Sequence, residues 1–265
     1  MAYESIILEK ENRIATITFN RPDKLNALNP QLVSDITNAV DAVASDKDIR
    51  VLILTGSGRG FCSGADLSAG SGFGTMPIEQ RLRPQPFPWW GWLALVLRNF
   101  HKPSIAAVNG LAVGAGLSIA LLCDIRIAAE SARFSSIFIQ RALIPDTGAT
   151  FYLPRAVGTS KAFEMMYTGD MVDAKEAERI GLVSRVVPDG ELMRTARELA
   201  ARIAKMPPIT LEMTKRAALK GATATDFETQ LVYESLGQNV VAQSEDTKEA
   251  MRAFLEKREP QFKGR

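Results

Sequence analysis

The stretch from Pro103 to Asp124, P-S-I-A-A-V-N-G-L-A-V-G-A-G-L-S-I-A-L-L-C-D, constrains this chain more than any other. Its apolar run Ser104–Val108 reads as a buried strand bounded by Pro103 and Gly110. A loop of small residues follows, and Leu117–Cys123 is apolar enough for a helix buried on most faces. Gly114, Ala115 and Gly116 fall at the first turn of that helix, where backbone N–H groups lack intrahelical partners and the macrodipole is positive. Small side chains there serve either of two ends. They let another molecule's oxygen approach the amides, or they let the helix pack closely against a strand.

The 265 residues suffice for one large core with an appendage. A hydrophobic content of 46% with 23% charged residues fits a soluble globular protein. The net charge of +2, without a dense Lys/Arg block, argues against nucleic acid or an anionic membrane as partner. Cys62 and Cys123 form neither a disulfide framework nor a CxxC pattern, and the single histidine, His101, rules out a His-based metal cluster. No metal site is expected. No basic-then-apolar leader opens the chain and no run approaches a membrane span, so a cytoplasmic protein is expected.

Taken in order, Ile6–Glu9 and Ile14–Phe19 read as a hairpin, and Asn20-Arg21-Pro22-Asp23 as a turn. Pro30 begins a helix whose apolar face is Leu32, Val33, Ile36, Ala39, Val40 and Val43. Arg50–Thr55 is a buried strand, and the succession of elements marks a layered α/β chain. The glycine-rich loop after Thr55 lacks the spacing of a nucleotide-binding loop, but it too follows a strand and offers amides at small residues. Residues 68–92 hold Gly70, Gly72 and Gly74, then Pro84, Pro86 and Pro88, then all three tryptophans. This segment reads either as a flap over an apolar pocket or as a structural plug or subunit contact. Ile125–Ala129 and Leu182–Val187 read as strands, with a loop from Ala129 through Phe134. Pro145-Asp146-Thr147-Gly148 has the composition of a turn, and Asp173 caps a short helix. Beyond Asp189 the periodicity is helical throughout, over 191–205, 209–219, 226–241 and 246–259, with no sequence-level repeat.

Several segments carry a resemblance. R-P-D-K-L-N-A-L (21–28), F-C-S-G-A-D-L (61–67), K-P-S-I-A-A-V-N-G-L-A-V-G-A-G (102–116), C-D-I-R-I-A (123–128), A-V-G (156–158), A-E-R-I-G-L-V (177–183) and A-F-L-E-K-R (253–258) strongly resemble the enoyl-CoA hydratase/isomerase (crotonase) family. The resemblance implies a spiral of ββα units over residues 1–189. It implies a C-terminal helical trimerisation region over 190–265, in a homotrimer or a dimer of trimers. The ligand it implies is an acyl-CoA substrate, a coenzyme A thioester, with no separate cofactor. It implies an oxyanion hole made by the N–H groups of Ala65 and Ala115; the family usually has glycine at the second position. Coenzyme A contacts are implied at Lys24, Leu25 and Ala27 and along Ser63, Ala65, Asp66 and Leu67. A neighbouring subunit would add Phe254 and Lys257. Read from the residues alone, Asp66 is a turn-stabilising side chain and His101 is structural.

Hydratases of the family use two glutamates, and at the matching positions this chain carries Ser118 and Phe138. Serine without a partner is no base near neutral pH and phenylalanine is none at all. Ser118 and Cys123 are conceivable nucleophiles, but helix packing accounts for both. Asp146 is the remaining carboxylate. Alone, it reads as a turn or cap residue; its I-P-D-x-G context resembles the base of dienoyl-CoA isomerases and ring-epoxyphenylacetyl-CoA isomerases. Glu79 and Arg81 are weaker candidates, better read as surface charge. The resemblance thus implies an enoyl-CoA isomerase with Asp146 as single acid/base. The alternatives are a hydratase in which Asp146 activates water, and a binding protein that kept the fold without the chemistry.

Overall fold

Residues 14–19 place apolar side chains on both faces of an extended segment, and the computed structural model shows why. The strand lies inside a sheet covered on both sides. The structure describes residues 3–67 and 89–265. The readings made of the Gly70–Gly74 and Pro84–Pro88 runs and of Glu79 and Arg81 lie outside those residues.

Among the described residues, strands β1 (Ile6–Glu11), β2 (Ile14–Phe19), β3 (Val51–Gly56), β5 (Ser104–Val108), β7 (Ile125–Ala129) and β10 (Arg185–Val187) form one sheet in that order. β1 and β2 are the expected antiparallel hairpin, and every later pairing is parallel. A second, four-stranded sheet joins β4 (Gly60–Cys62), β6 (Leu111–Val113), β8 (Arg133–Ser135) and β9 (Val172–Asp173). These strands have two or three residues each, too few for any hydrophobic period to register. Their placement reveals a repeat. β3 and β4 precede helix α2 (Trp89–Asn99), β5 and β6 precede α3 (Ala115–Leu122), and β7 and β8 precede α4 (Ala149–Val157). Each turn gives a long strand to the large sheet, a short one to the small sheet, and then a helix. This is a ββα spiral, of the α/β class.

Period-two alternation divides the core between the faces of the large sheet. Ala15, Ile17, Phe19, Leu52 and Leu54 point to one side, where helix α1 (Pro30–Ser45) and α3 pack. Asn29 caps α1, its side chain accepting from the Leu32 N–H at 2.8 Å, with Pro30 in the first turn. Ile14, Val51, Ile53 and Ile105 point to the other side. There, after α5 (Thr159–Thr168) and α6 (Ala174–Arg179), helix α7 (Leu192–Ala204) lays down Leu192, Ala196, Ala200 and Ala204, a stripe at spacing four that permits close approach. The helices α8 (Pro208–Gly221), α9 (Phe227–Ala242) and α10 (Glu245–Glu256) follow. α8 and α9 pack on one another. α9 exposes Phe227, Leu231, Val232, Leu236 and Val240, and α10 exposes Met251, Phe254 and Leu255.

Helix α3 is apolar on every side and every one of its residues is buried. It reaches this depth because Gly116 has no side chain: a Cβ there would sit 2.0 Å from the Cys62 carbonyl oxygen of β4. Close packing, one of the two uses foreseen for these small residues, is thus met at Gly116. Gly116→Ala is expected to lower the unfolding free energy by about 1–3 kcal/mol or more, measured by urea denaturation; an unchanged midpoint would contradict this packing.

Candidate active site

The strand–helix junction and the glycine-rich loop meet. In the loop, Leu28 N–H donates to Gly64 O at 2.7 Å and Asp66 N–H donates to Leu28 O at 2.9 Å, a short parallel bridge to Ala65. Backbone groups alternate along extended chain, so Ala65 N–H points away from Leu28. At the junction, Gly114 N–H donates to Ser135 O at 3.0 Å, while Ala115 is the first residue of α3. Its N–H lies beyond the helix's own acceptors. Gly64 (φ +87°) and Gly114 (φ +55°) hold left-handed backbone conformations immediately before the two alanines, which side chains would resist. The loops are in van der Waals contact: a Cβ on Gly64 would lie 3.5 Å from Ala115 N. Neither alanine N–H has a protein acceptor among the described residues.

Both border a cavity of about 90 Å³. Its walls are the 63–67 loop, the Val113–Ala115 junction and the 137–146 segment, with buried Trp90 of α2 closing one side. Of the tryptophan segment, Trp90 therefore lines the cavity, while Trp92 is exposed elsewhere. Phe138 is buried, and its ring tip would lie 3.9 Å from a Cβ on Gly114, so it covers the floor beside the amides.

Asp146 is the carboxylate in the described lining. Its side chain caps no helix: the residue before α4 is Gly148, and only the backbone oxygen of Asp146 is used, accepting from Ala149 N–H at 2.9 Å. The carboxylate instead accepts from Thr147 Oγ1 at 2.9 Å. Burial pushes the Asp146 carboxyl above its ordinary range, against the Thr147 hydrogen bond, which lowers it. Ser118 Oγ lies 3.0 Å from Asp146 O and 3.3 Å from Gly114 O, tying α3 to the turn that carries the carboxylate. Thr147 adopts φ +51°, an outlier for a β-branched residue, held by its burial and by the adjoining turn.

Of the other residues singled out in the sequence, Ser63 and Leu67 line the cavity, whereas Lys24, Leu25 and Ala27 are not in its lining, and Lys24 and Leu25 connect to it through Ser63. Ser63 N–H donates to Leu25 O at 3.0 Å and Ser63 Oγ donates to Lys24 O at 3.3 Å. Asp66 does not face the cavity; its buried carboxylate accepts from Arg21 Nη2 at 2.8 Å. Phe254 and Lys257 sit exposed on and after α10 and reach no part of this cavity within the chain. Burial pushes the thiols of Cys62 and Cys123 up to about 12, which excludes them as thiolates near neutral pH. His101 lies outside the lining, its ring tilted against Phe100 at 6.0 Å. Sequence reasoning missed Arg141, Leu143 and Thr147. They fall in an irregular segment where no period operates, and an isolated arginine there reads as surface.

The folded chain holds the Asp146 proton more tightly than the unfolded one, so its charge opposes folding. Wild-type stability is expected to fall as pH rises from the ordinary carboxylate pKa through the raised one, whereas Asp146→Asn escapes this loss. Urea denaturation over that window should show the gap growing in favour of the variant; a pH-independent gap would refute a buried charge.

Known proteins resemble this chain along nearly its whole length. The family model described as enoyl-CoA hydratase/isomerase matches residues 9–265. The "Probable enoyl-CoA hydratase echA8" of Mycobacterium bovis is 39% identical over 262 residues, covering 99% of each chain. The crotonyl-CoA hydratase of Syntrophomonas wolfei is 38% identical over 265 residues, again covering 99% of each. A crystal structure of enoyl-CoA hydratase from Bacillus anthracis superposes with a TM-score of 0.92 at 34% identity, covering 99% of this chain and 100% of that one.

Proposed function

The chain belongs to the enoyl-CoA hydratase/isomerase family, whose members act on acyl-CoA thioesters, and within it we propose an isomerase that moves a double bond along an unsaturated or ring-bearing acyl group. The observation that carries this reading is a half-buried carboxylate, Asp146, the one carboxylate in the described lining of a cavity bordered by two backbone N–H groups that have no protein acceptor among the described residues. With the thioester oxygen between Ala65 and Ala115, Asp146 takes a proton from a carbon of the acyl chain. The electron pair of the broken C–H bond delocalises through the conjugated system onto the thioester oxygen. The two N–H donors stabilise that charge more than they stabilise the neutral thioester, which lowers the barrier. Collapse of the enolate then returns the proton from Asp146 to a different carbon. One group serves as base and acid, and its raised pKa suits both steps.

Two features of the walls favour this over water addition. Phe138 and Ser118 stand where the family resemblance implies the two glutamates of a hydratase. Phe138 presents a buried ring, and the Ser118 hydroxyl lies against two backbone oxygens. A second reading is supported by the relatives, which are named hydratases: Asp146 would then activate a water for addition to a 2-enoyl-CoA. Either activity proceeds without a cofactor beyond the coenzyme A of the substrate. The exposed apolar side chains of α9 and α10, among them Phe227, Leu236 and Phe254, support assembly as a homotrimer or a dimer of trimers. In that assembly Phe254 and Lys257 would meet a neighbour's coenzyme A.

Proton exchange in D₂O and product analysis on 2-enoyl-, 3-enoyl- and dienoyl-CoA esters test the chemistry. Asp146→Asn is expected to lower isomerisation by about a hundredfold to ten-thousandfold while leaving acyl-CoA binding intact. Water addition that requires Asp146 would favour the hydratase, and tight binding with no exchange would favour a binding protein. Sedimentation velocity is expected to give the mass of three or six chains; a monomer would contradict the proposed assembly.

A further inference from the structure

The cavity holds a second charge that the proposed chemistry does not use. Arg141 closes the short helical turn Ile137–Arg141 and lines the cavity with Phe138, Leu143 and Asp146. It is the cation in the described lining. Its guanidinium makes no hydrogen bond or ion pair among the described residues, whereas arginines such as Arg179, Arg194 and Arg258 are each paired with a carboxylate. Nor is it matched to Asp146. That carboxylate accepts from Thr147 Oγ1 at 2.9 Å and forms no ion pair with Arg141.

The backbone that presents Arg141 is fixed. Ala142 N–H donates to Ile139 O at 3.0 Å and Leu143 N–H to Phe138 O at 3.1 Å, closing the turn, and Ala142 is held at φ +54°. The surrounding walls, Ile137, Phe138 and Leu143, are apolar. Arg141 itself is exposed, so it meets an anion at the solvent side of these walls, where a planar guanidinium fits a carboxylate in two parallel hydrogen bonds. The position also distinguishes two kinds of anion. Ser63 is hydrogen-bonded to the Lys24–Leu25 turn, which the resemblance assigns to the coenzyme A end. Arg141 belongs instead to the segment that carries Phe138 and Asp146.

We propose that Arg141 is a specificity-determining residue that receives a carboxylate carried on the acyl group, so that the preferred substrate is an unsaturated acyl-CoA with a second, free carboxylate. This rests on the reading of the cavity as the acyl site. The carboxylate would lie beyond the carbons that exchange protons with Asp146, with the thioester oxygen held by Ala65 and Ala115.

The test compares two 2-enoyl-CoA esters that differ only at the chain end, one a free carboxylate and the other its methyl ester. Wild type and Arg141→Gln are assayed for kcat/KM, and the saturated analogues for Kd by calorimetry. The wild type is expected to prefer the carboxylate. Arg141→Gln should reduce kcat/KM and affinity for that ester by roughly tenfold to a hundredfold, leaving the methyl ester unchanged. Arg141→Lys should restore part of the preference. Equal losses on both esters, absent when the corresponding pantetheine thioesters are used, would assign Arg141 to a coenzyme A phosphate and overturn the proposal. So would an unchanged preference in Arg141→Gln. Calorimetry reads the preference even if neither ester turns over, so a failure of the proposed chemistry is distinguished from a failure of this assignment.

Discussion

An N–H group left without an acceptor at the edge of a protein core costs on the order of 1–3 kcal/mol, and this chain holds two side by side. The surrounding architecture follows from keeping them so. Ala65 N–H is turned away from its strand neighbour because Gly64 and Asp66 occupy the bridge to Leu28. Ala115 N–H is free because a helix begins there, at a depth that Gly116 alone makes accessible. The cost is offset by the core that surrounds them: α3 is buried on all sides and both faces of the large sheet are covered. A loop of small residues on a soft scaffold would collapse onto these donors. Here they are fixed by backbone hydrogen bonds on both sides and stay available to an external oxygen.

The carboxylate opposite them depends on the same helix. Ser118, one turn into α3, lies within hydrogen-bond distance of Asp146 O, so the helix that starts at Ala115 also locates the turn that carries the Asp146 carboxylate. Thr147 adds a constraint of another kind. Its left-handed backbone is unfavourable for a β-branched residue, yet it brings the hydroxyl to 2.9 Å from the neighbouring carboxylate. Glycine would relieve the backbone and lose that bond. Burial raises the Asp146 pKa and the Thr147 bond opposes the rise.

What was legible in the sequence tracks the length over which a physical signal accumulates. Ile14–Phe19, Ser104–Val108 and α1 announce themselves by period, and Gly114–Gly116 by composition. The second sheet does not, since β4, β6, β8 and β9 are too short to carry a period and owe their pairing to the long strands that precede them. Asp146 was visible as an aspartate in a turn, but its raised pKa comes from burial, and it lines a cavity with residues distant in sequence such as Ala65 and Trp90. Arg141 gave no signal because its significance lies in lacking a partner, which no local pattern encodes.

The names of the relatives and the acid content of the cavity point in different directions, and the physical difference between them is the fate of two protons. Water addition requires one proton to leave the water oxygen and one to reach the α-carbon, a transfer that two carboxylates divide between them. A double-bond shift returns the same proton that it removed, so one carboxylate closes the cycle. Phe138 adds to this asymmetry, since a buried ring beside the donors offers a reacting water no hydrogen bond, whereas it packs favourably against an acyl chain. On the proposed reading, the one acid in the described lining, its pKa raised by burial, works with apolar walls and two fixed donors to move charge within one bound molecule without admitting a second reactant.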